Sequence, residues 1–478
     1  MTNSLIAFSR TLWKLNKEKK HQEVLTFFKE NKQQFSNSEI AGNEFIVSVL
    51  LSALRNTNNL DAGIKFLKIY QIGIGPGTNK MVLSAYGWIL YNKFKSETNA
   101  TDLGVEESDY FGEDETTEQQ FQSPHKKTEI IVRIEELLPF ILSGLDDYSY
   151  TLLINLWSVV IRSEIKRLST NWQLISDFCQ LISPDLLKTD CQSINIVRKG
   201  VAREMELASD RENWYAWQSK SLLKLGKFDE CFDVTQKALD TLEKFHYSND
   251  LWFARRMALT RKEKGNAKDA IPELLKVCKR KNEWFIQKEL AELYLEIGEQ
   301  GKAFDFAVEA LNNFGDLEYK VELIYLMGTL LLSRNEKTIA FQHFSLAKLI
   351  REGKGWRIPS KISELLKQSG GKEILSDNLP GLISHLRSYW RSISKHENAT
   401  KVHQTVAPNK GTIYRILNNN EKGADGFIRF NHQSIYFNIR SNDPVYNYLK
   451  VGVVVTFAIL PERNNKKERA IELRIAES

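Results

Sequence analysis

Between Glu212 and Ile350 one pattern returns four times, and nothing else in the chain restricts its fold as tightly. Trp214 and Tyr215 lead the first unit, which turns at Gly226-Lys227-Phe228 and continues through Cys231, Ala238 and Leu239. Trp252 and Phe253 lead the second, which passes Gly265 and then Ala270, Ile271 and Leu275. The third reads Leu290, Ala291, Tyr294, Leu295, then Gly298, then Ala303, Phe304, Ala307, Ala310 and Leu311. The fourth reads Met327, Gly328, Leu331, Leu332, a turn at Arg334-Asn335, then Ala340, Phe344 and Ala347. Small residues let two helix backbones approach, large ones fill the groove beside them, and glycine leaves the first helix. The spacing therefore predicts stacked helix pairs, each burying the face of the one before.

These units resemble the tetratricopeptide repeat, although the step between equivalent positions drifts from 33 residues (Gly265 to Gly298) to 39 (Gly226 to Gly265). Weaker copies are read at Leu12 to Phe28 and at Ile46 to Leu67, within an N-terminal helical block over 1–96. Residues 97–128 are read as an acidic, disordered linker or insertion, since they lack any helical or strand period. A helical region over 129–366 follows. Residues 367–408 read as a linker with one short helix, Leu379 to Ser394.

No run of eighteen apolar residues is present and the N-terminus lacks a signal-peptide pattern, so a cytoplasmic protein with no membrane partner is expected. The four cysteines, Cys179, Cys191, Cys231 and Cys278, match no zinc or CxxC spacing and read as thiols of helical cores; no metal or cofactor is expected. Nine carboxylates lie in 97–125 with no Lys or Arg; setting them aside turns a net charge of +6 into +15. A surface of that sign attracts polyanions, or simply solubilises. Phosphate loops, zincin helices, nucleophile elbows and kinase motifs are all missing, so no enzyme is expected. Gly73-Ile74-Gly75-Pro76-Gly77 reads as an inter-helix turn, and Arg255-Arg256 and Lys279-Arg280-Lys281 as exposed basic runs.

From 409 to 478 the period changes to that of strands: Thr412 to Leu417, Gly426 to Phe430, Ser434 to Ile439, Val451 to Leu460 and Ala470 to Ile475. Five short strands suit a small oligonucleotide-binding β-barrel. The order of motifs resembles a cold-shock domain or its S1-like relatives. Lys410-Gly411-Thr412-Ile413 is similar to the opening strand, Lys422 to Ile428 to the first nucleic-acid motif, and Ser434-Ile435-Tyr436-Phe437-Asn438 to the second. The fold class is thus mainly α, a helical solenoid followed by a five-stranded barrel.

What the resemblance implies is single-stranded RNA or DNA stacked on rings and held by cations. By position, Phe427 and Tyr436 would stack bases, Asn438 stands where a histidine is usual, and Lys422, Arg429 and Arg440 would meet phosphates. Arg415 falls where strand one carries a tryptophan, and a guanidinium plane also stacks on bases. The first aromatic of the Lys-Gly-Phe-Gly-Phe motif is replaced by Ala424-Asp425. Alternation exposes at most one of Tyr436 and Phe437, while Phe427 can face either the platform or the core. The combination resembles bacterial proteins of TOTE-type conflict systems, which implies a non-enzymatic adaptor in defence: the barrel binds nucleic acid and the repeats recruit a protein or peptide. The alternative is a pure protein scaffold with a degenerate barrel.

Overall fold

The computed structural model describes residues 2–98, 127–167, 169–198, 201–372, 374–402, 409–420, 423–431, 433–440, 445–460 and 468–476. The acidic segment lies, from 99 to 126, outside these. Helices α1 (Thr2–Lys17), α2 (His21–Asn31), α3 (Asn37–Ala41), α4 (Glu44–Asn56), α5 (Leu60–Ile69) and α6 (Lys80–Thr98) precede it. After it come α7 (Glu129–Ser143), α8 (Asp147–Ile165), α9 (Trp172–Gln180) and a hairpin of β1 (Ser193–Arg198) and β2 (Val201–Glu206). The four recurring units are α10 (Asp210–Lys224) with α11 (Phe228–Thr241), α12 (Asn249–Glu263) with α13 (Ala267–Arg280), α14 (Trp284–Glu296) with α15 (Gln300–Asn312), and α16 (Val321–Ser333) with α17 (Lys337–Lys354). Then follow α18 (Ser360–Ser369) and α19 (Leu379–Val402), and strands β3 (Asn409–Asn420), β4 (Gly423–Phe430), β5 (Gln433–Arg440), β6 (Val454–Leu460) and β7 (Arg469–Ile475).

One turn closes six helix pairs. In each, the helix ends, the second residue after it takes positive φ, and the next helix starts two residues later. That residue is Gly226 (φ 71°), Gly265 (80°), Gly298 (81°) or Asn335 (64°) in the recurring units, and Lys19 (58°) or Asn58 (58°) between α1 and α2 and between α4 and α5. The amide of the following residue reaches back to the carbonyl five positions earlier: Lys227 to Leu222 (3.0 Å), Glu336 to Leu331 (2.9 Å), Lys20 to Leu15 (3.0 Å), Asn59 to Leu54 (2.8 Å). This is the Schellman closure, which satisfies carbonyls that the helix end would leave orphaned. The N-terminal helices therefore share the turn of the recurring units, where lysine and asparagine hide what glycine announces elsewhere.

The described residues fall into two compact units, 1–277 with 293–298, and 278–292 with 299–478. In the first, a continuous core runs from Phe8 and Leu12 through Leu50, Ile134 and Leu156 to Trp217 and Phe253. Buried indoles satisfy carbonyls in the last turn of α9: Trp157 Nε1 donates to the Phe178 carbonyl (3.0 Å) and Trp214 Nε1 to that of Cys179 (2.7 Å). Two expectations change here. The β1–β2 hairpin, paired from Ser193 with Glu206 to Arg198 with Val201, interrupts the region read as helical; the alternation in Ser-Ile-Asn-Ile-Val-Arg suits a strand, not a helix. Arg255 and Arg256, read as an exposed basic pair, are buried, and Arg256 donates to Ser219 Oγ (3.1 Å). The Gly73–Gly77 stretch joins α5 to α6 as an inter-helix turn, and the Gly75 amide is bonded to Thr78 Oγ1 (3.0 Å).

In the second unit α17 packs against α16, α18 and α19, and α15 against α16 and α19. Helix α19 corrects the reading of 367–408 as a linker with a short helix: it is 24 residues long. It is anchored by Leu382, Leu386 and Trp390, buried at helical spacing. Trp390 Nε1 donates to Nε2 of the buried His343 (2.8 Å), whose Nδ1 donates to the Ile339 carbonyl (2.7 Å). Strands β3 to β7 close into a barrel in the order β3-β4-β5-β7-β6, antiparallel except for β5 with β7. Ile413, Ile428, Ile435, Phe437, Val455, Phe457 and Leu473 fill its interior. No helix among the described residues is long and apolar enough to cross a membrane.

Candidate nucleic-acid interface

Alternation sorts the barrel's residues into two faces. On β4, Ala424, Gly426 and Ile428 are buried, which leaves Asp425, Phe427 and Arg429 outside. On β5, Ile435, Phe437 and Ile439 are buried, which leaves Ser434, Tyr436 and Asn438 outside. The open choice for Phe427 is thereby resolved outward. Phe427 pairs across the strands with Tyr436, Asp425 with Asn438, and Arg429 with Ser434.

Strand β3 adds a residue that the sequence reading missed. Ile413 belongs to the core and Ile416 packs against it, yet two residues separate them, because the register shifts between Ile413 and Arg415. A bulge of this kind puts both intervening residues, Tyr414 and Arg415, on the outside. Gly426 makes it possible: a Cβ there would lie 2.2 Å from the Arg415 carbonyl oxygen. The tryptophan position of the resemblance is therefore filled twice, by a ring at 414 and a guanidinium at 415. Only the glycine hinted at the bulge.

The outcome is a cluster of three half-buried rings. The Phe427 and Tyr436 centroids lie 5.6 Å apart, edge to face at 67°. Tyr414 and Phe427 lie 6.3 Å apart at 33°. The Arg429 guanidinium sits 4.7 Å above the Tyr414 ring, and both Arg415 and Arg429 are exposed. Hydrogen bonds fix the tyrosines: the Tyr414 hydroxyl is hydrogen-bonded to Ser434 Oγ (2.7 Å), and Tyr436 donates to Asp425 Oδ2 (3.2 Å). Asp425 also accepts from Asn418 Nδ2 (2.8 Å). A carboxylate thus stands where the resembling motif has an aromatic ring, and it is held in place from two sides. Asn438 is exposed beside it. Lys422 lies outside the described residues, and Arg440 ends β5 opposite Gly423 with only its backbone described.

Chemically, this face offers flat apolar surface with edges already oriented, two cations and one fixed acceptor. Bases stack on such rings for about 1–3 kcal/mol each. The Asp425 carboxylate repels anions and accepts hydrogen bonds from amines.

No family model matches the chain, and no curated protein matches it. Among solved structures it is similar to a tetratricopeptide repeat protein from Parabacteroides merdae, at 12% identity over 77% of this chain and 99% of that one, with a TM-score of 0.27. It is also similar to the APC/C hetero-tetramer Cut9-Hcn1, at 10% identity over 80% of this chain and 79% of that one, TM-score 0.29. A third is the P58(IPK) TPR domain, at 13% identity over 77% of this chain and all of that one, TM-score 0.25.

Proposed function

We propose that this chain is a non-enzymatic adaptor whose C-terminal barrel binds single-stranded RNA or DNA while its helical pairs recruit a protein or peptide. The observation that carries the reading is the outward cluster of Tyr414, Phe427 and Tyr436 beside Arg415 and Arg429. Apolar rings held in register on an outer face add nothing to the barrel's core, and single strands are the ligands that pay such rings back through stacking. The strand order, with the third and fifth strands parallel, supports an oligonucleotide-binding barrel of cold-shock or S1-like type. For the helical part, paired helices in series offer groove surfaces of the kind tetratricopeptide repeats use. Phe314, between α15 and α16, is 95% exposed and supplies an apolar contact for a partner. In a conflict system of the resembling type, the barrel would sense foreign nucleic acid and the repeats would bring the effector.

Fluorescence anisotropy with a labelled single-stranded oligonucleotide tests this on the full chain. With two arginines engaged, the logarithm of the association constant should fall with that of salt concentration at a slope of about −1.4, roughly −0.7 per phosphate. Phe427→Ala should weaken binding about 5- to 150-fold, the loss of one stacked base. Asp425 at the centre of the face favours the second reading, a protein scaffold with a degenerate barrel. No binding at high micromolar protein, or binding indifferent to both salt and Phe427→Ala, would establish that scaffold instead.

A further inference from the structure

Away from the barrel, the first unit gathers three metal-ligating side chains from segments distant in sequence. Cys191 precedes β1, Glu206 ends β2, and His246 lies in the loop between α11 and α12; their ligand atoms all fall within 4.8 Å of one another. His246 Nε2 is 3.5 Å from Glu206 Oε2, which is already about the separation of two donors on one tetrahedral zinc ion. The sulfur needs to close by at most about 1 Å to complete the set.

The imidazole is prepared for such a role. Its Nδ1 donates to Oε2 of Glu212 at 2.7 Å, and the Glu212 side chain is fully buried. That carboxylate is itself anchored: Oε1 accepts from the His246 amide (2.7 Å) and from Asn249 Nδ2 (2.8 Å). A histidine whose Nδ1 proton is committed to a fixed carboxylate keeps Nε2 for a metal, here on the side facing Glu206, the arrangement that second-shell carboxylates impose on metal ligands. The backbone after it is held in an unfavourable shape, with Tyr247 at φ 54° and Ser248 at φ 65°. Two successive non-glycine residues in the left-handed region persist only where their surroundings demand it, and such strain collects at functional positions. Glu206 is paired with Lys244 Nζ at 3.0 Å, and that lysine is 69% exposed, so a stronger cation displaces it without disturbing the core.

We infer that Cys191 Sγ, His246 Nε2 and the Glu206 carboxylate bind one zinc-type divalent ion, with Glu212 as the positioning residue behind the histidine. Thiolate, imidazole and carboxylate together suit zinc better than a hard cation, and three protein ligands leave a fourth position for water. On binding, Cys191 forms its sulfur–metal bond and releases its proton to solvent. The ion would then tie both ends of the β1–β2 hairpin to the α11–α12 loop.

The test uses the full chain, stripped with a chelator that is then removed, and titrated with cobalt(II) and afterwards zinc(II). One equivalent of cobalt should give tetrahedral absorption with a thiolate-to-cobalt charge-transfer band, and zinc should bleach it. The band should vanish in Cys191→Ser and persist in Cys278→Ser. Glu212→Gln should weaken zinc about 10- to 100-fold. Because Cys191 is partly buried, exposed Glu206→Gln serves as the second variant, with a loss of roughly tenfold or more expected. A substoichiometric spectrum, a band that survives Cys191→Ser, or zinc affinity unchanged in Glu206→Gln overturns the site. None of these outcomes depends on whether the barrel binds nucleic acid.

Discussion

The large buried rings of the helical part contrast with the three outer rings of the barrel. Among the helices, Trp157, Phe253, Phe344 and Trp390 are sealed from solvent, and the indoles of Trp157 and Trp390 have found acceptors. The barrel buries Phe437 and Phe457 in the same manner but leaves Tyr414, Phe427 and Tyr436 half exposed and touching one another. The first group is explained by folding, since a buried ring removes 150–250 Å² or so from water. The second is not, because the barrel's interior is complete without it. Stability and recognition should therefore be separable by mutation, and the two groups should fail in different assays.

Trp390→Ala should produce the largest effect. It empties the space between α17 and α19 and removes the donor to His343. The expected loss is about 3–5 kcal/mol of unfolding free energy, read from denaturant titration, with oligonucleotide affinity unchanged wherever the protein remains folded. An affinity that fell in parallel would break the comparison, since the same ring would then serve both ends.

The same pair predicts a pH dependence. Burial, with His385 as a lesser cause, pushes His343 down to about 4 from its ordinary 6.5, although its bond to the Ile339 carbonyl opposes this. Between those values the unfolded chain holds a proton that the folded chain does not, so stability declines as pH falls from 6.5 towards 4. The sum is about 3 kcal/mol. In His343→Gln this part of the decline should disappear; a slope that survived would assign it to other groups.

Tyr414→Ala addresses the other side of the comparison. It should cost about 1–3 kcal/mol in oligonucleotide affinity and, at an outward position, less than about 1 kcal/mol in stability. The reverse split would make the outer cluster a structural one.

How much of this was legible follows from where the signals are local. The four units from Glu212 and the five strands from Thr412 announce themselves through glycine, small residues and period. Motif order points to Phe427 and Tyr436, but only the alternation of burial along the folded strands turns Phe427 outward. Tyr414 could not, because a one-residue bulge changes which neighbour faces outward, and no periodicity encodes it. Arg255 and Arg256 were misread for the opposite reason: two adjacent charges look solvated until a packed helix closes over them. The cluster of Cys191, Glu206 and His246 was illegible because a hairpin and a long loop bring it together, at no motif spacing.

The shared turn gives the finest test, because one backbone conformation is occupied by glycine in one block and by lysine in another. At Gly226 (φ 71°), alanine must enter the left-handed region, which costs about 1–2 kcal/mol. The smaller entropy of its unfolded chain returns 0.4–1 kcal/mol or so. Gly226→Ala should therefore destabilise by about 1 kcal/mol. At the exposed Lys19 (φ 58°) the exchange runs backwards. Lys19→Gly relieves the strained backbone, loses part of the gain to entropy, and should stabilise by about 0.5 kcal/mol. Opposite shifts in the urea midpoint, without a change in slope, would show that both blocks close their helix pairs by one mechanism. Shifts of the same sign would mean that the turn at Lys19 is held by its neighbours and not by its own backbone.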